Sequence, residues 1–253
     1  MQRAAVATLL LIPCFAAAQD DWANLGRFQA ANEALGPPGR GEERVVFIGD
    51  SITAGWSGAS PAYFEGRGYV GRGIGGQTTP QMLVRFRADV VDLEPGAVVI
   101  LAGTNDIAGN TGPATDKMIE DNLASMAEIA SANGIRVILA SILPAAAYPW
   151  APGIMPAPRI AALNEWIEAY ADDNDHVYVD YHAALADDAG GMQAPYTTDG
   201  VHVTPAGYAV MEELVEAAID EALSRPRRQP GVLRLRPLDG CARTTGNRRA
   251  RGC

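Results

Sequence analysis

Short apolar runs alternate with helical patterns along most of this chain, and this alternation limits its possible folds more than any other feature. The runs are continuous and rich in Val and Ile, as expected of strands buried on both faces. The predicted strands span 44–48, 69–71, 97–101, 136–141 and 176–180, and the predicted helices span about 22–35, 79–92, 115–133, 157–172 and 205–224. The pattern predicts an α/β fold with a five-stranded parallel sheet covered by helices on both faces. Because ligands bind at the carboxyl ends of such strands, functional motifs should directly follow strands.

Both ends of the chain differ in composition from the region between them. Residues 1–18 resemble a signal peptide, with Arg3 before an apolar stretch and small residues at 16–18, and they predict a secreted or periplasmic protein. The alternatives are a lipoprotein attached at Cys14, which Pro13 disfavours, and an apolar helix packed on the domain. We therefore predict a domain over 19–224 and a disordered basic tail rich in Arg, Pro and Gly over 225–253.

Charge is distributed unevenly between the predicted domain and the tail. The formal net charge is −10, but nine arginines and one acidic residue lie from Arg225 onward, which leaves 11 basic and 29 acidic residues in 1–224. Because such an acidic surface repels nucleic acid and anionic lipid, we expect neither as a partner. Cys241 and Cys253 could pair within the tail, and no Cys/His cluster indicates a metal site.

Three loops that follow predicted strands carry candidate catalytic groups. Ser51 follows the first strand, where a serine hydroxyl stands at the open edge of the sheet, although most serines in this position only cap a helix. Gly75 and Gly76 follow the second strand and either expose backbone N–H groups to a ligand or form a tight turn. Asn105 follows the third and can donate to developing negative charge, or else cap a turn together with Asp106.

A fourth motif, Asp199-Gly-Val-His202, precedes the last predicted helix. An aspartate three residues before a histidine can hold one imidazole nitrogen while the other faces outward, which is the arrangement of an oriented general base. The other two histidines, His176 and His182, lie at the ends of a predicted strand and are interpreted as structural. Together the four motifs provide a nucleophile, oxyanion donors, a base and an orienting acid, which are the parts of an acyl-transfer site.

These four blocks resemble those of the SGNH, or GDSL-type, hydrolases over residues 44–222. The resemblance implies a three-layer α/β/α, flavodoxin-like fold and a cofactor-free esterase or lipase mechanism. It implies Ser51 as nucleophile, His202 as base and Asp199 as the residue that orients it. The oxyanion hole would consist of the N–H groups of Ser51 and Gly76 and the Asn105 side chain. Gln77 and Ile52 depart from the usual residues of the family.

The expected function is therefore hydrolysis of carboxylic esters, with small acyl groups favoured. Carbohydrate O-deacetylation and lysophospholipase or thioesterase activity are alternatives within the same family, and the expected partner is a small-molecule or carbohydrate ester. An α/β-hydrolase would show Gly-x-Ser-x-Gly, whereas the nearest candidate here ends in Ala59. Two further alternatives are a non-catalytic binding module and a metal-dependent hydrolase that uses Asp180, His182 and His202.

Aromatic residues are the only candidates that the sequence offers for a substrate pocket. Residues 143–158 form a proline-rich loop with Tyr148 and Trp150, which could wall a pocket or simply pack on the surface. Trp56, Tyr148 and Trp150 are the predicted pocket residues, with Tyr63 and Phe64 as further candidates. The same side chains could instead belong to the core or stack on a sugar.

Overall fold

The computed structural model describes residues 21–226. The predicted signal peptide, with Cys14, and the predicted tail beyond Pro226, with Cys241 and Cys253, lie outside the described residues. The boundaries predicted for the domain therefore stay predictions.

Five parallel strands form one sheet, in the order β2-β1-β3-β4-β5. The strands are β1 Val45–Gly49, β2 Tyr69–Gly73, β3 Ala97–Leu101, β4 Arg136–Ala140 and β5 Val177–Val179. The chain passes from β1 to β2 on one side and then crosses to β3 on the other, so the strand order reverses at β1. A crevice forms beyond the carboxyl ends of strands at such a reversal. The predicted α/β fold with five parallel strands is confirmed.

Helices cover both faces of the sheet, as predicted. Within residues 21–226 they are α1 Gln29–Leu35, α2 Ser51–Ala59, α3 Pro61–Phe64, α4 Thr79–Asp89, α5 Thr104–Ile107, α6 Asp116–Ala132, α7 Ala157–Asp173, α8 Tyr181–Leu185 and α9 Pro205–Ser224. Alternate residues of β1 point to opposite faces because side chains alternate along a strand. Val46 and Ile48 belong to the core under α4, α6 and α7, whereas Val45 and Phe47 belong to the core under α2 and α9.

The N-terminal helix is shorter than predicted. It begins at Gln29 instead of residue 22. The Asp21 carboxylate accepts the backbone N–H groups of Leu25 and Gly26, which holds the preceding residues in a turn. The backbone carbonyls of Trp22 and Ala23 accept hydrogen bonds from glutamine side chains of the domain, so they are engaged outside any helix. Periodicity did not predict α3, α5 and α8, since helices of four or five residues are shorter than two turns.

Two glycines let helix α2 start close above the sheet. Gly49 and Gly73 are the last residues of β1 and β2 and are paired in register. A Cβ atom at Gly73 would lie 2.2 Å from the backbone nitrogen of Ala54, and one at Gly49 would lie 2.1 Å from Thr53 Oγ1. Only glycine fits where backbone approaches this closely. The approach places Ser51, the first residue of α2, at the edge of the sheet.

Among the described residues no helix has the length and apolar character needed to cross a bilayer.

Candidate active site

Three of the predicted site residues meet at the carboxyl edge of the sheet. Ser51 directly follows β1 and Asp50, while Asp199 and His202 lie in the loop before α9. Ser51 Oγ is 3.1 Å from His202 Nε2, and His202 Nδ1 is 2.7 Å from Asp199 Oδ2. The imidazole thus bridges a hydroxyl and a carboxylate, which is the connectivity that base-assisted nucleophilic attack requires.

The loop around His202 is built by local hydrogen bonds. Asp199 Oδ1 accepts the backbone N–H groups of Val201 and His202 at 2.9 and 2.8 Å. Thr197 Oγ1 donates to the His202 carbonyl at 2.8 Å and accepts the Gly200 N–H at 3.0 Å. Aspartate side chains close turns of this kind on their own backbone. One carboxylate therefore shapes the turn with Oδ1 and contacts the imidazole with Oδ2.

These hydrogen bonds keep Asp199 ionised. Burial acts to raise the pKa of Asp199, but the hydrogen bonds from the His202 ring and from the backbone of His202 and Val201 outweigh it and lower the pKa to about 2. The side chains of His202 and Asp199 are 48% and 41% exposed. A substrate can therefore reach the histidine, and the carboxylate beside it is negatively charged at neutral pH.

The two other predicted oxyanion donors come from neighbouring loops. Asn105, in α5, donates from Nδ2 to the Gln77 carbonyl at 3.1 Å and to Asp50 Oδ2 at 3.3 Å. Gly76 has a positive φ of 75°, and a Cβ atom at Gly75 would lie 3.8 Å from Ser51 Cβ. The loops after β1, β2 and β3 therefore converge on one point.

Asp50 is a buried carboxyl group within this convergence. It is 1% exposed, and its Oδ1 accepts the Ile52 N–H at 2.9 Å as the cap of α2. Burial raises the pKa of Asp50 to about 6, against the lowering effects of the Ile52 hydrogen bond and of His202. A buried carboxyl group with a raised pKa thus directly precedes Ser51 in the chain.

Gln77, which departs from the family pattern, anchors the loop after β2 to the N-terminal segment and to α4. It is 2% exposed, and its Nε2 donates to the Ala23 carbonyl at 2.9 Å. Its Oε1 accepts from Arg85 Nε at 2.6 Å. Arg85 is fully buried and also donates to Asp89 and to the Gly49 carbonyl. The polar character of Gln77 was visible in the sequence, but its partners lie 8 and 54 residues away.

Asn110 is a residue of the candidate site that the sequence patterns did not indicate. Its Nδ2 donates to the Gly76 carbonyl at 3.0 Å and to Asn105 Oδ1 at 2.9 Å, and its Oδ1 accepts from Trp150 Nε1 at 3.0 Å. The segment Gly109-Asn110-Thr111-Gly112 is typical of a turn, so nothing in the sequence marked Asn110 as a site residue.

The three aromatic residues predicted to line a pocket have different environments. Trp56 is 1% exposed, packs against Phe47 and Tyr208 in the core and donates to Glu212 Oε1 at 3.1 Å. The prediction that Trp56 lines a pocket is therefore wrong, because the first turns of α2 point it into the core under α9. Tyr63 is also buried.

Trp150 lies beside His202, and Tyr148 stacks on Trp150. Trp150 is 43% exposed, stacks on Tyr148 with ring centroids 5.1 Å apart, and its ring centroid is 6.3 Å from that of His202. Tyr148 is buried, and its hydroxyl forms a 2.8 Å hydrogen bond with Thr104. A cleft of about 530 Å³ lies between the proline-rich loop and the loop that carries Asp199.

Asp180, one of the three residues of the alternative metal site, is engaged in capping a helix. Its carboxylate accepts the Ala183 N–H at 3.0 Å at the start of α8, the helix that contains His182. Within residues 21–226, no group of three or more His, Cys, Asp or Glu side chains is arranged to hold a metal ion.

The structure has an α/β fold with a five-stranded parallel sheet flanked by helices. Comparison with known proteins gives the family. The model of the GDSL-like Lipase/Acylhydrolase family matches residues 47–210. This chain belongs to the GDSL-like lipase/acylhydrolase family. The predicted resemblance is thereby confirmed.

Individual proteins are similar over much of the chain. A GDSL-like lipase of Bacteroides thetaiotaomicron, known as a crystal structure, is 48% identical, with a TM-score of 0.77 over 79% of this chain and 98% of that one. The esterase TesA of Pseudomonas aeruginosa is 30% identical over 63% of this chain and 79% of its own length. The uncharacterized lipoprotein YqeF of Bacillus subtilis is 35% identical over 43% of this chain, which spans about half (52%) of that protein.

Proposed function

We propose that this protein is a serine esterase that hydrolyses carboxylic esters of small acyl groups through a Ser51–His202–Asp199 triad and an acyl-enzyme. The observation that carries the proposal is the 3.1 Å contact between Ser51 Oγ and His202 Nε2 in a chain whose His202 Nδ1 faces Asp199. Membership of the family and similarity to the esterase TesA support the reaction class.

The first half of the reaction forms the acyl-enzyme. His202 Nε2 takes the proton of the Ser51 hydroxyl while the oxygen attacks the ester carbonyl. Asp199, ionised because its pKa is about 2, accepts a hydrogen bond from His202 Nδ1–H and stabilises the imidazolium that forms. The carbonyl carbon becomes tetrahedral, its oxygen becomes negative, and His202 then protonates the departing alcohol.

The negative oxygen is stabilised by three donors, which are the N–H groups of Ser51 and Gly76 and the Asn105 amide. The contact of Asn105 Nδ2 with Asp50 Oδ2, at 3.3 Å, is longer than an ordinary N–H···O hydrogen bond, whereas the contact with the Gln77 carbonyl, at 3.1 Å, is within the usual range. In the proposed mechanism the Asn105 hydrogen directed at Asp50 turns to the oxyanion. One such donor contributes about 3–4 kcal/mol to the transition state. Water then repeats the sequence on the acyl-enzyme and releases the acid.

The test is p-nitrophenyl acetate hydrolysis by the wild-type protein and by Ser51→Ala. We expect the variant to lose activity by several orders of magnitude while keeping the melting temperature of the wild type. A fluorophosphonate probe should label the wild type at Ser51 only. Activity that survives in the purified, folded variant would contradict the proposal, and an unlabelled, inactive wild type would favour the binding-module alternative.

A second candidate, deacetylation of carbohydrates, is favoured by Trp150. Its ring packs on Tyr148, is 43% exposed and lies beside His202, as a platform for a sugar face would. We expect Trp150→Ala to raise KM for an acetylated xylooligosaccharide much more than KM for ethyl acetate, which has no ring. Trp150→Phe, which keeps a ring, should show a smaller increase. Equal changes for both substrates would remove this candidate.

A further inference from the structure

One side-chain amide joins the two oxyanion donors that come from different loops. Asn110 Nδ2 carries two hydrogens and uses one on the Gly76 carbonyl, at 3.0 Å, and the other on Asn105 Oδ1, at 2.9 Å. Asn110 therefore joins the loops after β2 and β3 at the two residues proposed as oxyanion donors. The Asn110 backbone N–H also donates to the Asn105 carbonyl at 3.0 Å, which closes the turn between them.

The orientation of the Asn110 amide is set by partners that cannot exchange roles. Trp150 Nε1 can only donate, and it donates to Asn110 Oδ1 at 3.0 Å. The Gly76 carbonyl can only accept. If the amide rotated by half a turn, an N–H would face the indole N–H and an oxygen would face the Gly76 carbonyl. The amide therefore has one favourable orientation, and Trp150 enforces it.

This orientation in turn determines how Asn105 is presented. Asn105 Oδ1 accepts from Asn110, so Asn105 Nδ2 points the other way, towards the Gln77 carbonyl and towards Asp50, which directly precedes Ser51. A donor stabilises an oxyanion efficiently only when it is aligned before the charge develops. A half-turn of the Asn105 amide would point its oxygen towards the oxyanion and make the interaction repulsive.

We propose that Asn110 is a positioning residue that aligns the Gly76 and Asn105 donors for the oxyanion, and that the indole N–H of Trp150 holds Asn110 in the working orientation. This inference rests on the proposed function. It gives the proline-rich loop a role apart from substrate binding, because Trp150 extends from that loop to Asn110, which contacts the proposed oxyanion donors of two other loops. Asn110 acts through its neighbours and needs no contact with substrate.

Four variants test the proposal. Asn110→Ala removes the hydrogen bonds to Gly76 and Asn105. Asn110→Asp keeps the shape of the side chain but places an oxygen, in place of Nδ2, against the Gly76 carbonyl and Asn105 Oδ1. Trp150→Phe keeps an aromatic ring and removes the N–H. The matched control is Asn133→Ala, an exposed asparagine whose amide caps the end of α6 on the Ile129 carbonyl. Each variant is assayed for kcat and KM with p-nitrophenyl acetate, for melting temperature, and for Ki with phenylboronic acid, which forms a negatively charged tetrahedral adduct with the serine oxygen.

We expect kcat to fall roughly 10- to 100-fold in Asn110→Ala and at least as much in Asn110→Asp, with KM changed by less than about 3-fold. Trp150→Phe should lower kcat by about 3- to 10-fold, because the amide then samples both orientations. Ki for phenylboronic acid should rise in parallel with the loss of kcat. The melting temperature of the Asn110 and Trp150 variants should stay near that of the wild type, and Asn133→Ala should match the wild type in kcat, KM and Ki.

Three outcomes would overturn the inference. The first is a kcat within about 2-fold of the wild type in both Asn110 variants. The second is a rise in KM at constant kcat, which would make Asn110 a substrate-binding residue. The third is a fall in kcat without any change in boronate affinity. Loss of activity in Ser51→Ala together with fully active Asn110 variants would overturn only this inference, whereas an active Ser51→Ala would overturn both it and the proposed function.

Discussion

Asp199 Oδ2 lies 2.7 Å from Nδ1 of His202, three residues further along the chain. The other oxygen of the same carboxylate accepts the backbone N–H groups of Val201 and His202. A single side chain therefore closes the turn and orients the ring, so the acid–base pair is built from contacts within one short turn.

The first prediction concerns Asp199→Asn. Asparagine can keep the Oδ1 contacts, but its amide would donate to His202 Nδ1 and move the ring hydrogen to Nε2, which then cannot accept the Ser51 proton. We expect kcat/KM to fall by about 10³- to 10⁴-fold with little change in melting temperature. Steady-state hydrolysis of p-nitrophenyl acetate measures it, with Asp172→Asn on the surface of α7 as the control. A loss smaller than about 10-fold would contradict the role of Asp199.

The second prediction follows from the buried carboxyl of Asp50. Its pKa is about 6 in the folded protein, against about 3.9 in an unfolded chain. Between about pH 4 and 6 the folded state therefore binds more protons than the unfolded state, and the stability contributed by the neutral form is lost as the pH rises. The loss is roughly 3 kcal/mol and is complete above about pH 6.

Asp50→Asn isolates this effect, since an amide does not titrate. Urea unfolding of both proteins from pH 4 to pH 7 should show the free energy of unfolding of the wild type falling by about 2–3 kcal/mol relative to the variant. The opposite contribution of Asp199, whose low pKa makes it matter only at more acid pH, is the same in both proteins. A difference that does not vary with pH would disprove the shift.

The third prediction compares two glycines. In Gly73→Ala the added Cβ would lie 2.2 Å from the Ala54 nitrogen and 2.6 Å from the Thr53 carbonyl carbon, both rigid backbone atoms. We expect a loss of more than about 4 kcal/mol of stability, or no folded protein. In Gly58→Ala, within α2, a Cβ would meet nothing within 4 Å. This control should gain about 0.5–1 kcal/mol, because alanine favours a helix. Thermal unfolding distinguishes the two, and equal effects would show that α2 does not need the close approach.

The fourth prediction concerns the buried hydrogen bonds of Gln77, which anchor the loop after β2. Gln77→Ala removes the acceptor of the buried Arg85 Nε and the donor to the Ala23 carbonyl. We expect a loss of about 2–3 kcal/mol, since the Nε–H of the buried Arg85 guanidinium and the Ala23 carbonyl each lose a hydrogen-bond partner. Gln29→Ala, on the exposed side of α1, should change stability by less than about 0.5 kcal/mol. Denaturant unfolding measures both, and a Gln77→Ala protein as stable as Gln29→Ala would show that water replaces the lost partners.

The features that sequence analysis predicted are those encoded over a few neighbouring residues. The five strands were recognisable because each is a continuous apolar run, and β3, Ala97–Leu101, matches its predicted bounds. Ser51 was placed at the sheet edge because it follows a strand. Asp199 and His202 were paired because their contact needs only a three-residue turn.

Other features depend on packing between distant parts of the chain. Composition alone could not separate Trp56, buried beside Phe47, from Trp150, exposed beside His202, because an indole ring suits both environments. The start of α1 was misplaced because the Ala23 carbonyl bonds to Gln77, 54 residues away.

The sequence by itself determined the layered α/β architecture, the order of the motifs and the local Asp199–His202 pair, since apolar periodicity and turn chemistry act over short separations. Only the tertiary structure decided that His202 reaches Ser51 across 151 residues, that Gln77 supports its loop from the N-terminal segment, and that Asn110 and Trp150 hold Gly76 and Asn105 together. Those contacts join residues whose separation along the chain carries no pattern, and they exist only because the packed sheet brings its carboxyl-end loops to one edge.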